Sequence, residues 1–324
     1  MKKGENEAMS AYVSAIEQTD PSQHNTPEPV MTKNTAHDSR VPVRSTRPDD
    51  LEDEGPSNLG YLDIDVNSLP TGGNFYPTGT TIKIRAARGE EIKHWSTMND
   101  QDINQLSQID DMLNYIIERC VYVKIPSVLG ASWKDLKDVD RFYLLLAVRE
   151  FTFPQGENEL KVPLSEGNEM TVTKEMIDFI QIPDDLMQHY DSTERCFVFT
   201  LKTGRKFRMH IPSLGVTQWC KNYSVAKQTA REGFDADFIL YAPMLISDYR
   251  NLSQRAYEEM VSESSHWNGA EWSLLSYVRT ELMKASEAKI KYTDDNGVEV
   301  AVPLTFRGGI KALFTVQNPL SILC

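Results

Sequence analysis

No stretch of this 324-residue chain carries the spacing of a known catalytic or metal-binding signature. The four cysteines, Cys120, Cys196, Cys220 and Cys324, lie far apart with no Cys-x-x-Cys, which argues against a zinc knuckle. Six histidines, at 24, 37, 94, 189, 210 and 266, are scattered, and none belongs to a His-Glu-x-x-His pair. A Gly-x-Ser-x-Gly elbow is missing too. No apolar run approaches the length of a membrane span. Met1-Lys2-Lys3 is followed by polar sequence rather than the apolar core of a secretory signal. Positive charge is in short supply: 34 Lys and Arg face 47 Asp and Glu, a net charge of −13 with pI about 5.0. A surface that replaces the counterions of nucleic acid over the whole protein is therefore not expected. The local group Arg205, Lys206 and Arg208 sits on a candidate hairpin, where long cations face water. These absences predict a soluble protein of a reducing cytoplasm, with no catalytic residue, metal, cofactor, nucleic acid or membrane partner.

Residues 1–58 lack Trp, Phe and Cys but hold 6 of the 16 prolines, and carry six cations against eleven acids. Such a segment buries too little apolar area to offset its ordering entropy, and is read as a disordered acidic tail. Within it, Met9, Tyr12, Val13 and Ile16 recur at i, i+3, i+4 and i+7, an amphipathic stripe that could fold on a partner's groove. A chance stripe is the competing reading.

The segment Leu69-Pro70-Thr71-Gly72-Gly73-Asn74-Phe75-Tyr76-Pro77-Thr78-Gly79 resembles a phosphate cradle at first sight, but the spacing excludes one. A P-loop needs Gly-Lys-Ser/Thr opening a helix; here Thr80 follows Gly79, and Thr81-Ile82-Lys83-Ile84-Arg85 alternates as a strand does. The segment reads as a turn-rich entry to that strand, its prolines fixing φ and its glycines permitting positive φ. Helical patterns follow over 88–98, 106–120 and 135–151, the last nearly apolar through its middle. Short strands are expected at 159–164 and 169–173. The runs 196–201 and 206–211 flank Lys202-Thr203-Gly204-Arg205 as a hairpin. Helices are expected at about 214–230, 235–248, 253–264 and 269–289, then a last hairpin turning at Asp294-Asp295-Asn296-Gly297.

The order of these pieces repeats. Thr78-Gly79 opens a strand with Ile82 and Ile84; Thr203-Gly204 opens one with Phe207 and Met209 at the same offsets. Leu144-Leu145-x-x-Val148-Arg149 is echoed by Leu274-Leu275-x-x-Val278-Arg279. Glu159-x-x-Val162-Pro163-Leu164 is echoed by Glu299-x-x-Val302-Pro303-Leu304. Three matches in one order predict an α+β protein of two similar units, 59–190 and 191–324; chance agreement among short apolar motifs is the competing reading. Each unit would hold a strand pair, a helical insertion, a buried helix ending in Arg and a closing hairpin. Arg149 and Arg279 are expected to fix each hairpin to its helix. The pairs Asp110-Asp111, Asp184-Asp185 and Asp294-Asp295 suit a helix surface, a helix start and a turn. Trp267, beside Asn268-Gly269, is a candidate partner contact; a packed Trp is the competing reading.

The residues Leu69, Pro70, Gly73, Phe75 and Tyr76, then a strand ending at Arg85, then a helix carrying Asp140, Leu144, Leu145 and Arg149, resemble the T4-type bacteriophage baseplate protein family. That family includes a baseplate hub component and a hub-assembly factor. The resemblance covers about residues 60–290 and is loose beyond 215. Relatives often place Cys-x-x-Cys in the hairpin after the buried helix. This chain has Glu159-Leu160-Lys161-Val162-Pro163-Leu164 there, so a zinc-stabilised hairpin is not implied. The resemblance implies a non-enzymatic hub or tail-assembly protein that recognises other phage baseplate or tail proteins, its oligomeric state left open. It would work in the host cytoplasm during assembly and in the virion's tail baseplate. A cytoplasmic tail-assembly chaperone absent from the mature virion is the alternative, and a metal-dependent hydrolase built from distant residues a further one.

Overall fold

Alternation over Thr81–Arg85 puts Ile82 and Ile84 on one face, and both become fully buried. This strand is the centre of the first sheet in a computed structural model that describes residues 60–97, 106–153, 160–163, 169–202, 204–293, 297–306 and 309–315. The sheet runs β1 (Tyr61–Ile64), β2 (Thr81–Arg85), β3 (Val121–Lys124), all antiparallel, with Ile82 opposite Ile64 on one side and Val123 on the other. Between β2 and β3 lie helices α1 (Gly89–Ser96) and α2 (Leu106–Cys120). Ile116, Ile117 and Cys120 of α2 face the core, as their spacing predicts. The apolar helix α3 (Arg141–Thr152) then buries Leu144, Leu145 and Val148, and is followed by the hairpin β4 (Leu160–Pro163) and β5 (Glu169–Val172).

After β6 (Ile177–Phe179) and a single turn, α4 (Asp184–Met187), the order recurs. Strands β7 (Tyr190–Asp191), β8 (Cys196–Thr200) and β9 (Lys206–Met209) form a second antiparallel sheet. Helices α5 (Leu214–Thr229), α6 (Gln254–Ser264) and α7 (Gly269–Ala285) follow, then the hairpin β10 (Ala288–Thr293) and β11 (Glu299–Pro303). Helix, Arg and hairpin thus come in the same order twice. Gly79 and Gly204, at matching offsets before β2 and β9, both sit in the left-handed region, at φ +82° and +81°.

The described chain is α+β, and three sequence expectations change. The stretch 235–248 holds short 3-10 turns, Phe238–Leu240 and Ala242–Leu245, in place of one helix. Pro243 supplies no N–H, and its ring clashes with the carbonyl a turn earlier. Two 3-10 turns, Trp133–Asp135 and Asp138–Asp140, precede α3, which begins only at Arg141. Helix α7 stops at Ala285, because Ala288–Thr293 is drawn into a sheet with β11 and β6. The tail, with Met9, Tyr12, Val13 and Ile16, and the Asp294-Asp295-Asn296 turn lie outside the described residues. No described helix is long and apolar enough to cross a membrane.

Two cores dominate. The first gathers Leu69, Tyr76, Ile82, Ile84, Trp95, Leu144, Leu145 and Val162, together with Ala288, Ile290, Leu313 and Phe314 from the far end of the chain. The second gathers Phe197, Phe199, Phe207, Met209, Leu275 and Val278, and takes in Phe75 and Val139. A smaller aromatic cluster lies between α5 and α6.

Candidate functional site

The turn-rich segment 69–79 lies where the two cores meet. Leu69 and Tyr76 point into the first core, while Phe75, their near neighbour in sequence, points into the second. Phe75 packs edge-on against Tyr190 at 4.9 Å and against Phe197 at 5.2 Å. The hydroxyl of Tyr190 donates to the carbonyl of Asn74. A chain that reverses this sharply needs positive φ, and Gly73 adopts +74° with Val66 O only 3.1 Å from where a Cβ would stand.

Asp140 closes the joint from the start of α3. Its Oδ1 accepts from the Thr71 backbone N–H at 3.0 Å; its Oδ2 accepts from the Thr71 hydroxyl at 2.9 Å and the Tyr76 hydroxyl at 2.8 Å. The Tyr76 oxygen in turn accepts from the Lys137 N–H at 2.9 Å. Asp140 is fully buried, so three donors replace the water it lost. Burial pushes its carboxyl up to about 6, opposed by the bonds from Tyr76 and Thr71 and by the charge of Lys137. Burial and the Asp140 charge raise the Tyr76 phenol well above its usual range. Burial lowers the Lys137 ammonium, and Asp140 and Asp135 oppose it.

Lys137 also carries the joint to the second half. Its Nζ lies 3.4 Å from the Ile211 carbonyl, and its backbone bridges to Ser213. Asp138 N–H donates to the Pro212 carbonyl at 2.9 Å, and Leu214 N–H to the Leu136 carbonyl at 2.8 Å. Nearby, burial and Lys137 push His210 down to about 4. Perturbed groups in a cluster are a usual sign of a working site. Here Asp140 and Tyr76 are closed to solvent and their oxygens all bond to neighbours, so this pair holds the chain together.

Charges elsewhere are absorbed in the same way. Arg85 reaches the buried Glu91 at 2.7 Å, and Glu91 also accepts from the Arg88 N–H at 2.5 Å. Burial works to raise the Glu91 carboxyl, but these two bonds hold it below its ordinary range. Glu271 repeats the arrangement on α7, capping the Asn268 N–H at 2.7 Å and meeting Arg205 at 3.1 Å. Arg205 also pairs with Glu263, and Arg208 with Glu194, so the two arginines of the β9 hairpin are matched by acids. Asp110 and Asp111 pair with Arg141 and Lys221, and Asp185 accepts from the Tyr277 hydroxyl. Among the described residues, no three His, Cys, Asp or Glu side chains converge as metal ligands.

One expectation needs correcting, and another falls to its competing reading. Trp267 is half-buried, and its ring packs against Phe207 at 4.9 Å and Trp272 at 5.4 Å, at the edge of both the second core and the aromatic cluster. The apolar payload of an indole outweighs its place beside a turn. Arg279 lies over the Tyr241 ring at 5.9 Å, so among the described residues its partner is in the 3-10 region before α6 rather than in the closing hairpin. Arg149 is buried on α3 with its guanidinium 5.7 Å from the Phe153 ring. The residues that the sequence does not single out are Thr71, Lys137, Glu91 and Glu271. Only Glu271 has a local signal, the Asn-x-x-Glu of a capping box.

No protein-family model, curated protein or solved structure matches this chain.

Proposed function

We propose that this chain is a non-enzymatic assembly protein of a contractile phage tail, a baseplate hub or hub-assembly component that works by protein–protein recognition. One observation supports the reading above others. The motif residues Leu69, Phe75, Tyr76 and Asp140 are all buried at one joint: Tyr76 bonds Asp140, Leu69 enters the first core and Phe75 the second. A motif that builds a joint between two cores suits a scaffold that presents shaped surfaces. An active site would instead leave reactive groups open to a cleft.

The test is quantitative mass spectrometry of purified particles of the phage that encodes this chain, beside the infected-cell lysate. A fixed copy number per particle is the expected result. Abundance in the lysate with none in the particle, together with co-purifying tail proteins, would make it the chaperone. Absence from particles and from every tail-protein complex would overturn both.

A further inference from the structure

One cleft, outside the joint and its charge pairs, leaves polar groups unspent. It lies between α1, α2, the 3-10 turn Trp133–Asp135 and α5, and encloses about 430 Å³. That lies at the small end of the range of ligand pockets, with room for one long side chain. His94, Tyr115 and Trp133 supply aromatic walls; Asp111, Glu118 and Gln218 supply the polar ones. The wall carries two carboxylates and neither Lys nor Arg. Asp111 is held by Lys221 at 2.5 Å, but Glu118 is exposed and has no ion-pair partner among the described residues. Part of each ring already serves its own chain: Arg119 lies over Tyr115 at 5.6 Å, Lys134 over Trp133 at 5.7 Å, and His94 packs on Tyr115 at 4.3 Å, so an incoming guanidinium would share these rings with resident cations.

We propose that this cleft receives an arginine side chain of a partner protein, a recognition site that rests on the assembly reading above. A guanidinium is planar and weakly hydrated, stacks on aromatic rings, and presents paired donors to a carboxylate. An ammonium shares the charge but not the plane, and a leucine neither. Glu118 is the carboxylate that takes the guanidinium; the Gln218 carbonyl and the rings orient it. Because Glu118 is tied to no cation among the described residues, binding need not first break an ion pair with one of them.

The experiment uses the full chain and N-acetyl-L-arginine amide as the probe, with the lysine and leucine amides as comparators. Binding is followed on the indole N–H signal of Trp133, assigned with Trp133→Phe. The arginine probe is expected to shift that signal with a Kd of roughly millimolar order. The lysine probe should bind several-fold more weakly, and the leucine probe should leave the signal unmoved. Glu118→Gln, a neutral change on an exposed helix position, should weaken arginine binding about tenfold, since it removes a charge-assisted bond. Added salt should weaken it further. No shift with arginine, equal binding of the leucine amide, or unchanged affinity in Glu118→Gln would each overturn the proposal. The assay contains no other phage protein, so its failure removes the arginine site and leaves the assembly role to be decided by particle composition.

Discussion

Asp140 accepts three hydrogen bonds where no water reaches it, so Asp140→Ala strands the Thr71 N–H, the Thr71 hydroxyl and the Tyr76 hydroxyl together. Each orphaned buried donor costs on the order of 1 kcal/mol or more, and the variant should lose about 3 kcal/mol of unfolding free energy in urea. Asp140→Asn separates the charge from the shape. The folded carboxyl titrates at about 6, above the roughly 3.9 of an unfolded aspartate. The folded chain therefore holds this proton more tightly than the unfolded chain does. The stability the group contributes is fully present below about pH 4 and is lost as pH rises through about 6. The difference in stability between the wild type and Asp140→Asn should shrink by about 2 kcal/mol between pH 4 and pH 7. A constant difference across that range would show that Asp140 is already ionised at pH 4. At Gly79 the constraint is backbone: φ is +82°, and a Cβ would lie 3.2 Å from Pro126 Cγ. Gly79→Val should lower the melting temperature by several degrees, from a cost of about 1–3 kcal/mol; an unchanged midpoint would sink the claim.

Between residues and the whole molecule, the helix starts carry a testable ranking. Glu91 and Glu271 each cap a helix and each hold an arginine, but in unlike surroundings. Side-chain exposure is 12% for Arg85 and 37% for Arg205. Removing Glu91 leaves a nearly buried guanidinium uncompensated, which costs about 3 kcal/mol. Removing Glu271 leaves one that water and Glu263 can still serve. Glu91→Ala should therefore destabilise more than Glu271→Ala by thermal melting, and the reverse order would refute this account of the two caps. Much at this scale is legible in the sequence, because local patterns fix it. Ile82 and Ile84 alternate, Ile116, Ile117 and Cys120 share a helical face, and Gly204 marks a turn. The bonds of Asp140 to Thr71 and Tyr76 span 69 and 64 residues, and no periodicity reports such a distance. Strand β6 was equally hidden: Ile177–Phe179 is too short to show alternation, and becomes a strand only because β10 comes to lie beside it. Trp267 was ambiguous for a related reason, since a Trp next to a turn is exposed or buried according to what packs over it.

At the scale of the whole molecule, the repeated order of elements does not divide the packing in two. Phe314 is fully buried against Trp95, with ring centroids 5.0 Å apart, and the Trp95 indole donates to the Lys311 carbonyl at 2.8 Å. Strand β10 pairs with β6 and sends Ala288 and Ile290 into the first core. In the other direction, Phe75 and Val139 enter the second core. Each half therefore lacks part of its own apolar interior, and the shared segments should couple their unfolding. Far-UV circular dichroism and tryptophan fluorescence are expected to report one urea transition with a common midpoint. Phe314→Ala should shift both signals together by about 3–4 kcal/mol, the usual cost of emptying a buried Phe site. Residues 59–190 expressed alone would lack Ala288, Ile290, Leu313 and Phe314, and should give the poorly dispersed amide spectrum of an incomplete core. Two separate transitions, with Phe314→Ala moving only one, would show instead that the repeated units fold independently and that the joint at Asp140 merely docks them.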